Sequence, residues 1–113
     1  MTTVRDMVQT IQHEMLGGDL TPEGTFRLLS MATSLLANCL EEIRDAEMAF
    51  NRVKATCYKR EKSGKAADIE AQTTPEYWRL REAQDNHKVL EEDVRSLRKL
   101  SDGLMTEMRF TPR

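Results

Sequence analysis

"CLEEIRDAEMAFNRVKATCYKREK", residues 39–62, contains no proline or glycine, and its apolar residues recur at alternating steps of four and three. This spacing puts them on one stripe of an α-helix, which is the pattern of a coiled-coil seam. The same rhythm extends back to Leu29, and it returns in a second segment that starts at Leu80. The sequence therefore predicts two long helices with the seam positions Leu29, Ala32, Leu36, Cys39, Ile43, Ala46, Phe50, Val53 and Cys57, and Leu80, Ala83, His87, Leu90, Val94, Leu97, Ser101, Leu104 and Met108.

Signals at helix ends bound these segments. Thr21 and Thr74 each precede a Pro-Glu pair, which is typical of an N-cap followed by the first turn of a helix. A Gly-Gly pair at 17–18 ends a shorter N-terminal helix, which Thr2 or Thr3 can cap. We predict helix one over about residues 3–16, helix two over 22–62 and helix three over 75–109, with residues 63–74 forming either a loop or a short helical turn.

The connection between helices two and three is short, so these helices should run antiparallel and pair along their seams, with Cys57 opposite Leu80. We predict an all-α single domain, residues 1–113, built as a long antiparallel, coiled-coil-like helical hairpin with a short N-terminal helix packed at its base. Helix one has its own apolar face, formed by Val4, Met7, Val8, Ile11, Met15 and Leu16. It should cover the residues that widen the apolar stripe near the base, which are Leu35, Leu40, Leu100 and Met105.

Alanine at several seam positions predicts self-association. A two-helix seam of this kind buries little apolar surface for a chain of 113 residues. Packing two hairpins into a larger helical bundle would bury much more, so we expect a homo-oligomer, a dimer or higher. A monomer of three helices is the alternative, if helix one covers enough of the seam.

Composition limits the cellular compartment and the classes of partner that we expect. The net charge is −2 with 32% charged residues, so no global field favours nucleic acid or a membrane. No stretch approaches the roughly 20 apolar residues of a membrane span, and the N-terminus lacks the apolar core of a secretory signal. Cys39 and Cys57 lie roughly 27 Å apart on one helix at the standard rise, beyond disulfide reach. We therefore expect a cytoplasmic protein with two buried, reduced cysteines and no membrane partner.

Catalytic and metal-binding patterns are missing from the sequence. There is no phosphate-binding glycine loop, no nucleophile elbow and no metalloprotease helix motif. His87 has no second ligand at metal-binding spacing, and His13 is similarly alone, so structural burial is the simpler interpretation of His87. We expect a protein that is not an enzyme and has no catalytic residue, metal, cofactor or small-molecule substrate.

Positive charge concentrates where helix two ends. Within residues 52–65 six cations are opposed only by Glu61, and aromatic residues stand among them and at the start of helix three. Cations interleaved with aromatics can neutralise phosphates and stack unpaired bases. Alternatively, Lys and Arg simply favour the negative end of a helix dipole. The candidate residues for binding nucleic acid or a protein partner, called the basic set below, are Arg52, Lys54, Tyr58, Lys59, Arg60, Lys62, Lys65, Trp78, Arg79 and Arg81.

Tyr77 and Trp78 are neighbours on a helix, so both side chains cannot point into the same seam. One of them is an exposed anchor for a partner, a residue that caps the end of the bundle, or a residue that packs against the 63–74 connection.

The span from "VKATCYKREKSGKAADIEAQTTPEYW" (53–78) through "LEEDVRSLRKLSDGLMTEMRF" (90–110) resembles a group of small helical phage proteins that accompany single-strand annealing recombinases or other replication and recombination genes. The likeness lies in a long helix ending near a tyrosine, a glycine-containing link and a Leu/Arg-rich final helix. This chain departs from it in having "TTPEYW" before the last helix and fewer alanines. The resemblance implies a non-enzymatic accessory in phage DNA metabolism, located in the host cytoplasm, and it assigns no functional residue.

Two functional hypotheses follow. The first is a non-enzymatic accessory protein of phage-type DNA recombination or replication, which contacts single-stranded nucleic acid or a DNA-processing protein through the basic set. The second is a pure protein–protein interaction module, such as an inhibitor, adaptor or assembly scaffold, with no nucleic-acid contact. Oligonucleotide binding that weakens steeply with salt would distinguish the first from the second.

Overall fold

The computed structural model describes residues 3–18 and 20–110, with side chains up to residue 106. This part of the chain forms four α-helices: α1 (Val4–Leu16), α2 (Pro22–Arg60), α3 (Gly64–Ala71) and α4 (Pro75–Phe110). The all-α class is confirmed, and α2 and α4 are the arms of the expected hairpin. Residues 63–74 contain the separate helix α3 rather than a loop. The alternative cap Thr2 and the Met108 side chain lie outside the described residues.

Local capping bonds fix where α1 and α2 begin. The Thr3 hydroxyl oxygen accepts the Asp6 N–H at 3.1 Å, and the Asp6 carboxylate accepts the Thr3 N–H at 3.1 Å, which makes a reciprocal capping box. Gly18 follows α1 with a φ of +114°, in the left-handed region that favours glycine. The Thr21 hydroxyl oxygen accepts the Gly24 N–H at 3.0 Å, so the predicted cap of α2 is confirmed.

The same chemistry starts the two later helices. The Ser63 hydroxyl oxygen accepts the Ala66 N–H at 3.1 Å and caps α3. The Thr74 hydroxyl oxygen accepts the Tyr77 N–H at 3.4 Å, so the predicted cap of α4 is also confirmed. None of the described helices is long and apolar enough to cross a membrane.

The chain divides into two compact units. Unit 1 spans Met1–Asn38 and Asn86–Arg113, and unit 2 spans Cys39–Asp85. Each long helix therefore contributes one part to each unit. The expectation that the whole chain behaves as a single domain stays a prediction.

Three helices pack together in unit 1, which confirms that the N-terminal helix packs against the hairpin. Gln12 of α1 donates from Nε2 to Oδ1 of Asp93 on α4 at 3.4 Å. Arg27 of α2 and Glu14 of α1 form an ion pair with 3.2 Å between Nη2 and Oε2. The buried apolar residues of this unit are Val4, Val8, Ile11, Leu28, Ala32, Leu35, Leu90, Val94 and Leu97.

The expectation that α1 covers the widened apolar stripe was largely wrong. Only Leu35 is buried, whereas Leu40, Leu100 and Met105 are exposed, as is Leu16 at the end of α1 with 84% of its surface accessible. The physical reason is length. α1 has 13 residues and buries only three of them, so its short apolar face leaves most of the stripe uncovered.

The core of unit 2 contains smaller side chains than the core of unit 1. One cluster contains Ala46, Leu80 and Ala83, with Phe50 packed against it. A second cluster contains Cys57, Ala67 and Ala71, and Phe50 packs against it as well. The predicted pairing of Cys57 with Leu80 is therefore wrong, because α3 covers Cys57 and Leu80 packs with Ala46 instead. Both cysteines are buried and free, as expected.

Candidate nucleic-acid interface

The basic set lies wholly within unit 2, on the last turns of α2, in the link that contains Lys62, on α3 and on the first turns of α4. Residues 51–82 carry eight Lys and Arg side chains against five Asp and Glu, a net charge of +3. The whole chain carries −2. This part of unit 2 is therefore the positive region of a chain whose remainder is negative, and an anionic partner would be attracted locally rather than by the whole molecule.

Two members of the basic set are engaged by α3. The Tyr58 hydroxyl donates to Oδ1 of Asp68 at 2.6 Å. This hydrogen bond is the main reason that the pKa of Tyr58 is raised above its usual value, and burial and the Asp68 charge add to it. Arg60 forms an ion pair with Glu70, whose other carboxylate oxygen is buried without a hydrogen-bond partner among the described residues. Asp68 and Glu70 thus already engage the Tyr58 hydroxyl and the Arg60 guanidinium.

The cations of α2 point in several directions. Arg52 and Lys59 are seven residues apart, which is two helical turns, so they share one face, and both are exposed. Lys54 is half-buried, and its Nζ lies 5.8 Å from the centroid of the Phe50 ring, a cation–π contact. Arg52 and Lys59 are therefore available to a ligand, whereas Lys54 is already placed against an aromatic face.

Lys62 and Lys65 flank the start of α3, and both are exposed. α2 ends at Arg60, so its dipole accounts for Lys59 and Arg60 and can still favour Lys62 two residues further, but it does not account for Lys65. Lys65 lies in the first turn of α3, a turn that contains no acidic residue. A cation at that end of a helix is opposed by the dipole, so the helix-terminus interpretation fails for Lys65.

The aromatic pair at the start of α4 divides as the helix geometry requires. Tyr77 is half-buried, with its ring centroid 5.6 Å from that of Phe50. Trp78 is 63% exposed and meets Tyr77 edge-on at 5.4 Å. Tyr77 is thus the packed member and Trp78 the exposed one, which leaves most of the Trp78 side chain accessible to a partner.

Arg79 and Arg81 do not form one surface. Both are exposed, but residues two apart on a helix point to nearly opposite sides. Arg81 is three residues after Trp78 and shares its side of α4, whereas Arg79 does not. Only one of these two arginines, Arg81, therefore lies on the same side of α4 as the exposed Trp78 ring. Fewer cations lie beside an aromatic ring than the sequence predicted.

The pairing role of α3 was missed by the sequence analysis. Asp68 and Glu70 each lie ten residues after their partners, Tyr58 and Arg60. The available signal was the Ser63 cap, which begins a helix that can turn these carboxylates back onto α2. Without the packing of α3 the two pairs could not be inferred.

No group of three His, Cys, Asp or Glu side chains among the described residues could hold a metal ion. His87 is half-buried, and its Nδ1 lies 2.9 Å from Oε1 of Glu91, one turn further along α4. That contact gives His87 a local partner. The expectation that the protein is not an enzyme stays a prediction.

Comparisons of this chain with protein-family models, with curated proteins and with solved structures found no match. The resemblance to small helical phage proteins therefore stays a prediction.

Proposed function

We propose that this protein is a non-enzymatic accessory of phage-type DNA recombination or replication, acting in the cytoplasm. It contacts single-stranded nucleic acid through the exposed cations of unit 2 and the Trp78 ring. The observation that carries the proposal is Lys65, a cation in the first turn of α3, where the helix dipole disfavours positive charge. A phosphate at that position pairs with the lysine and is itself favoured by the positive end of the helix dipole.

The proposed contacts divide into phosphate-binding and base-stacking groups. Lys59, Lys62 and Lys65 follow the chain from the end of α2 into α3, and each is exposed. Trp78 offers the exposed ring for a base, and Arg81 lies on its side of α4. Arg60 and Tyr58 are held by α3, so in this proposal they contribute less than their exposed neighbours.

Fluorescence anisotropy of a labelled oligothymidylate, titrated with the protein at several salt concentrations, tests the proposal. Each phosphate contact to a single strand contributes about −0.7 to the slope of log K against log salt. Four to six contacts therefore predict a slope of about −3 to −4. A flat salt dependence, or no binding at low salt, would remove the proposal.

A charge-reversal variant localises the contact. Changing Lys59, Lys62 and Lys65 to Glu should abolish measurable binding. The matched control changes the exposed residues Arg95, Arg98 and Lys99 of unit 1 to Glu, so the net charge falls equally, and it should bind with an affinity close to wild type apart from the modest loss expected from a lower net charge. Equal losses in the two variants would mean that the contact is not at the basic set.

Trp78 supplies a second readout. It is the single tryptophan of the chain, so fluorescence excited beyond the absorption of the two tyrosines reports this residue alone. Stacking on a base should quench its emission, and Trp78→Ala should weaken binding by about 1–3 kcal/mol. Unchanged emission at saturating oligonucleotide would contradict the stacking role.

A pure protein–protein interaction module is the second candidate. The observation that favours it is exposed apolar surface on both units: Leu40 and Met48 in unit 2, and Leu100 and Met105 in unit 1. Exposed apolar side chains of this size offer contact area to a protein partner. This candidate predicts no oligonucleotide binding at low salt and one stoichiometric protein partner whose capture is insensitive to nuclease.

A further inference from the structure

The apolar contact that holds α3 against the end of α2 is small. The buried residues of α3 are Ala67 and Ala71, which pack with Cys57 of α2. Its largest apolar side chain, Ile69, is 58% exposed. A methyl group removes little apolar area from water, so this contact adds little free energy to the docking of α3. The docked position of α3 therefore depends strongly on its polar contacts with α2.

Two polar contacts join α3 to α2, and both are open to water. The Tyr58 hydroxyl donates to Oδ1 of Asp68 at 2.6 Å, and Arg60 pairs with Glu70 while 62% of the arginine side chain stays exposed. Exposed ion pairs contribute little to stability. The other carboxylate oxygen of Glu70 is buried without a hydrogen-bond partner among the described residues, which disfavours the docked state and is relieved when α3 moves away. Segments held by so few contacts open well before the whole protein unfolds.

The α2 groups that α3 engages are donors that also suit a phosphate. A guanidinium forks onto carboxylate and phosphate alike, and a phenolic hydroxyl can donate to either. Residues 51–62 carry five Lys and Arg against one Glu, a net charge of +4, whereas α3 carries one Lys against one Asp and one Glu, a net charge of −1. Docked α3 therefore lowers the positive potential at the end of α2, where an anionic strand would bind.

Lys65 and the two carboxylates lie at different distances from the start of α3. Ser63 caps the helix, and Lys65 lies in its first turn, whereas Asp68 and Glu70 follow in the second turn. A rotation of α3 about Ser63 moves the carboxylates further than it moves the lysine. Lys65 can therefore keep a phosphate contact while Asp68 and Glu70 leave α2.

We propose that α3 is an autoinhibitory element of the basic set: docked, it holds Arg60 and Tyr58, and single-stranded nucleic acid displaces it by transferring both groups from carboxylate to phosphate. This inference rests on the proposed function and adds a regulatory step to it. The exposed face of Arg60 lets a phosphate approach before the pair with Glu70 opens. The exchange keeps both donors satisfied, because the phosphate replaces each carboxylate that leaves.

Amide hydrogen exchange of the full chain, with and without saturating oligothymidylate, tests the displacement. The Gln72 N–H bonds to the Asp68 carbonyl oxygen at the end of α3. An isolated helix of eight residues is marginal in water, so this amide and its neighbours in α3 should exchange about fivefold faster or more in the complex. Residues 40–50 of α2 provide the internal control and should not exchange faster.

The result separates this inference from the proposed function. Binding that leaves α3 exchange unchanged, or slows it, would overturn the displacement and leave nucleic-acid binding standing. No binding at low salt would remove both. Faster exchange throughout unit 2 would mean that the oligonucleotide loosens the whole unit, which also contradicts a step confined to α3.

A pair of variants tests the inhibition itself. Asp68→Ala with Glu70→Ala removes both carboxylates that hold α2, whereas Glu41→Ala with Asp45→Ala removes two exposed carboxylates elsewhere in unit 2 and changes the net charge equally. The first variant should bind oligothymidylate about 5- to 10-fold more tightly than the second, because two exposed contacts no longer compete. Equal affinities, or weaker binding by the first variant, would show that the α3 contacts are structural only.

Discussion

The two units bury side chains of different size. Unit 1 buries Leu28, Leu90 and Leu97, whereas unit 2 buries Ala67 and Ala71. Long branched side chains gain free energy mainly from the apolar area that they remove from water. The methyl group of alanine removes little apolar area from water, but it lets two helices approach closely. Its contribution to stability therefore depends on how closely the neighbouring atoms pack. The comparison teaches that one chain can close two regions by different means: apolar volume in unit 1, and close approach with polar pairs in unit 2.

The largest effect should come from removing apolar volume in unit 1. Leu90 is fully buried, so Leu90→Ala should lower the free energy of unfolding by about 2–5 kcal/mol, since it loses apolar contacts and leaves a cavity. Urea denaturation followed by circular dichroism measures this. Leu16→Ala is the control, because Leu16 is exposed, and it should stay within about 0.5 kcal/mol of wild type. Similar losses in the two variants would remove the claim that unit 1 depends on buried volume.

The second effect should come from adding volume to unit 2. Ala67 is fully buried between α3 and its neighbours, so Ala67→Leu should destabilise the protein by about 1–3 kcal/mol through overpacking. Ala55→Leu adds the same volume at an exposed position of α2 and should change stability little. Thermal unfolding compares the two. A neutral Ala67→Leu would mean that unit 2 is loosely packed.

A third effect concerns the buried carboxylate of unit 1. Asp93 accepts one weak hydrogen bond, and its Oδ2 has no partner among the described residues. Burial is the main cause that raises the pKa of Asp93 above its usual value, and the neighbouring charge of Glu92 adds to it, while the Gln12 hydrogen bond works against them. Asp93→Asn removes the buried charge and should stabilise the protein by about 1 kcal/mol at neutral pH.

The sign of the pH dependence follows from that raised pKa. Above the folded-state pKa the ionised Asp93 destabilises the native state. As the pH falls through that pKa the native state takes up a proton before the unfolded state does, so stability rises. The advantage of Asp93→Asn over wild type should therefore be greatest at neutral pH and vanish below the usual aspartate pKa. Asp102→Asn, an exposed change on the same helix, should show no such trend, and an advantage that grows on acidification would contradict the assignment.

The smallest effect should come from the α3 pairs. Glu70→Gln weakens an ion pair whose arginine is exposed, so stability should change by no more than about 1 kcal/mol. If unit 2 binds nucleic acid, freeing Arg60 should tighten oligonucleotide binding about 2- to 5-fold, which corresponds to the free energy of one exposed pair. Anisotropy measures this against Glu41→Gln, which removes an exposed charge elsewhere in unit 2. Equal gains in both variants would indicate a general charge effect instead of competition for Arg60.

The helix boundaries were accessible from sequence because they depend on local chemistry. Thr3, Thr21 and Thr74 each sit within three residues of the N–H group that they cap, so a short window contains the whole interaction. The alternation of apolar residues likewise gave the two long helices. The contacts between residues that are distant along the chain were not predicted correctly.

α3 illustrates that failure. Its largest apolar residue, Ile69, is exposed, whereas Ala67 and Ala71 are buried. Hydrophobicity alone would have placed the Ile69 face of this helix inside, whereas close helix approach selects small apolar residues over large ones. The same limit applies to the candidate interface. The exposure of most of its cations could be expected from their charge, but the engagement of Arg60 and Tyr58 depends on how α3 folds back.

The rate of thiol alkylation can report local opening of unit 2. Cys39 and Cys57 both belong to unit 2, both are buried, and burial raises the pKa of the Cys39 thiol with a further contribution from Glu42. A shielded sulfur reacts slowly with an alkylating reagent, so modification must wait for a transient opening. The rate at which Cys57 is alkylated would then report how often α3 moves away from Cys57. The measurement needs no prior label or substitution in the protein.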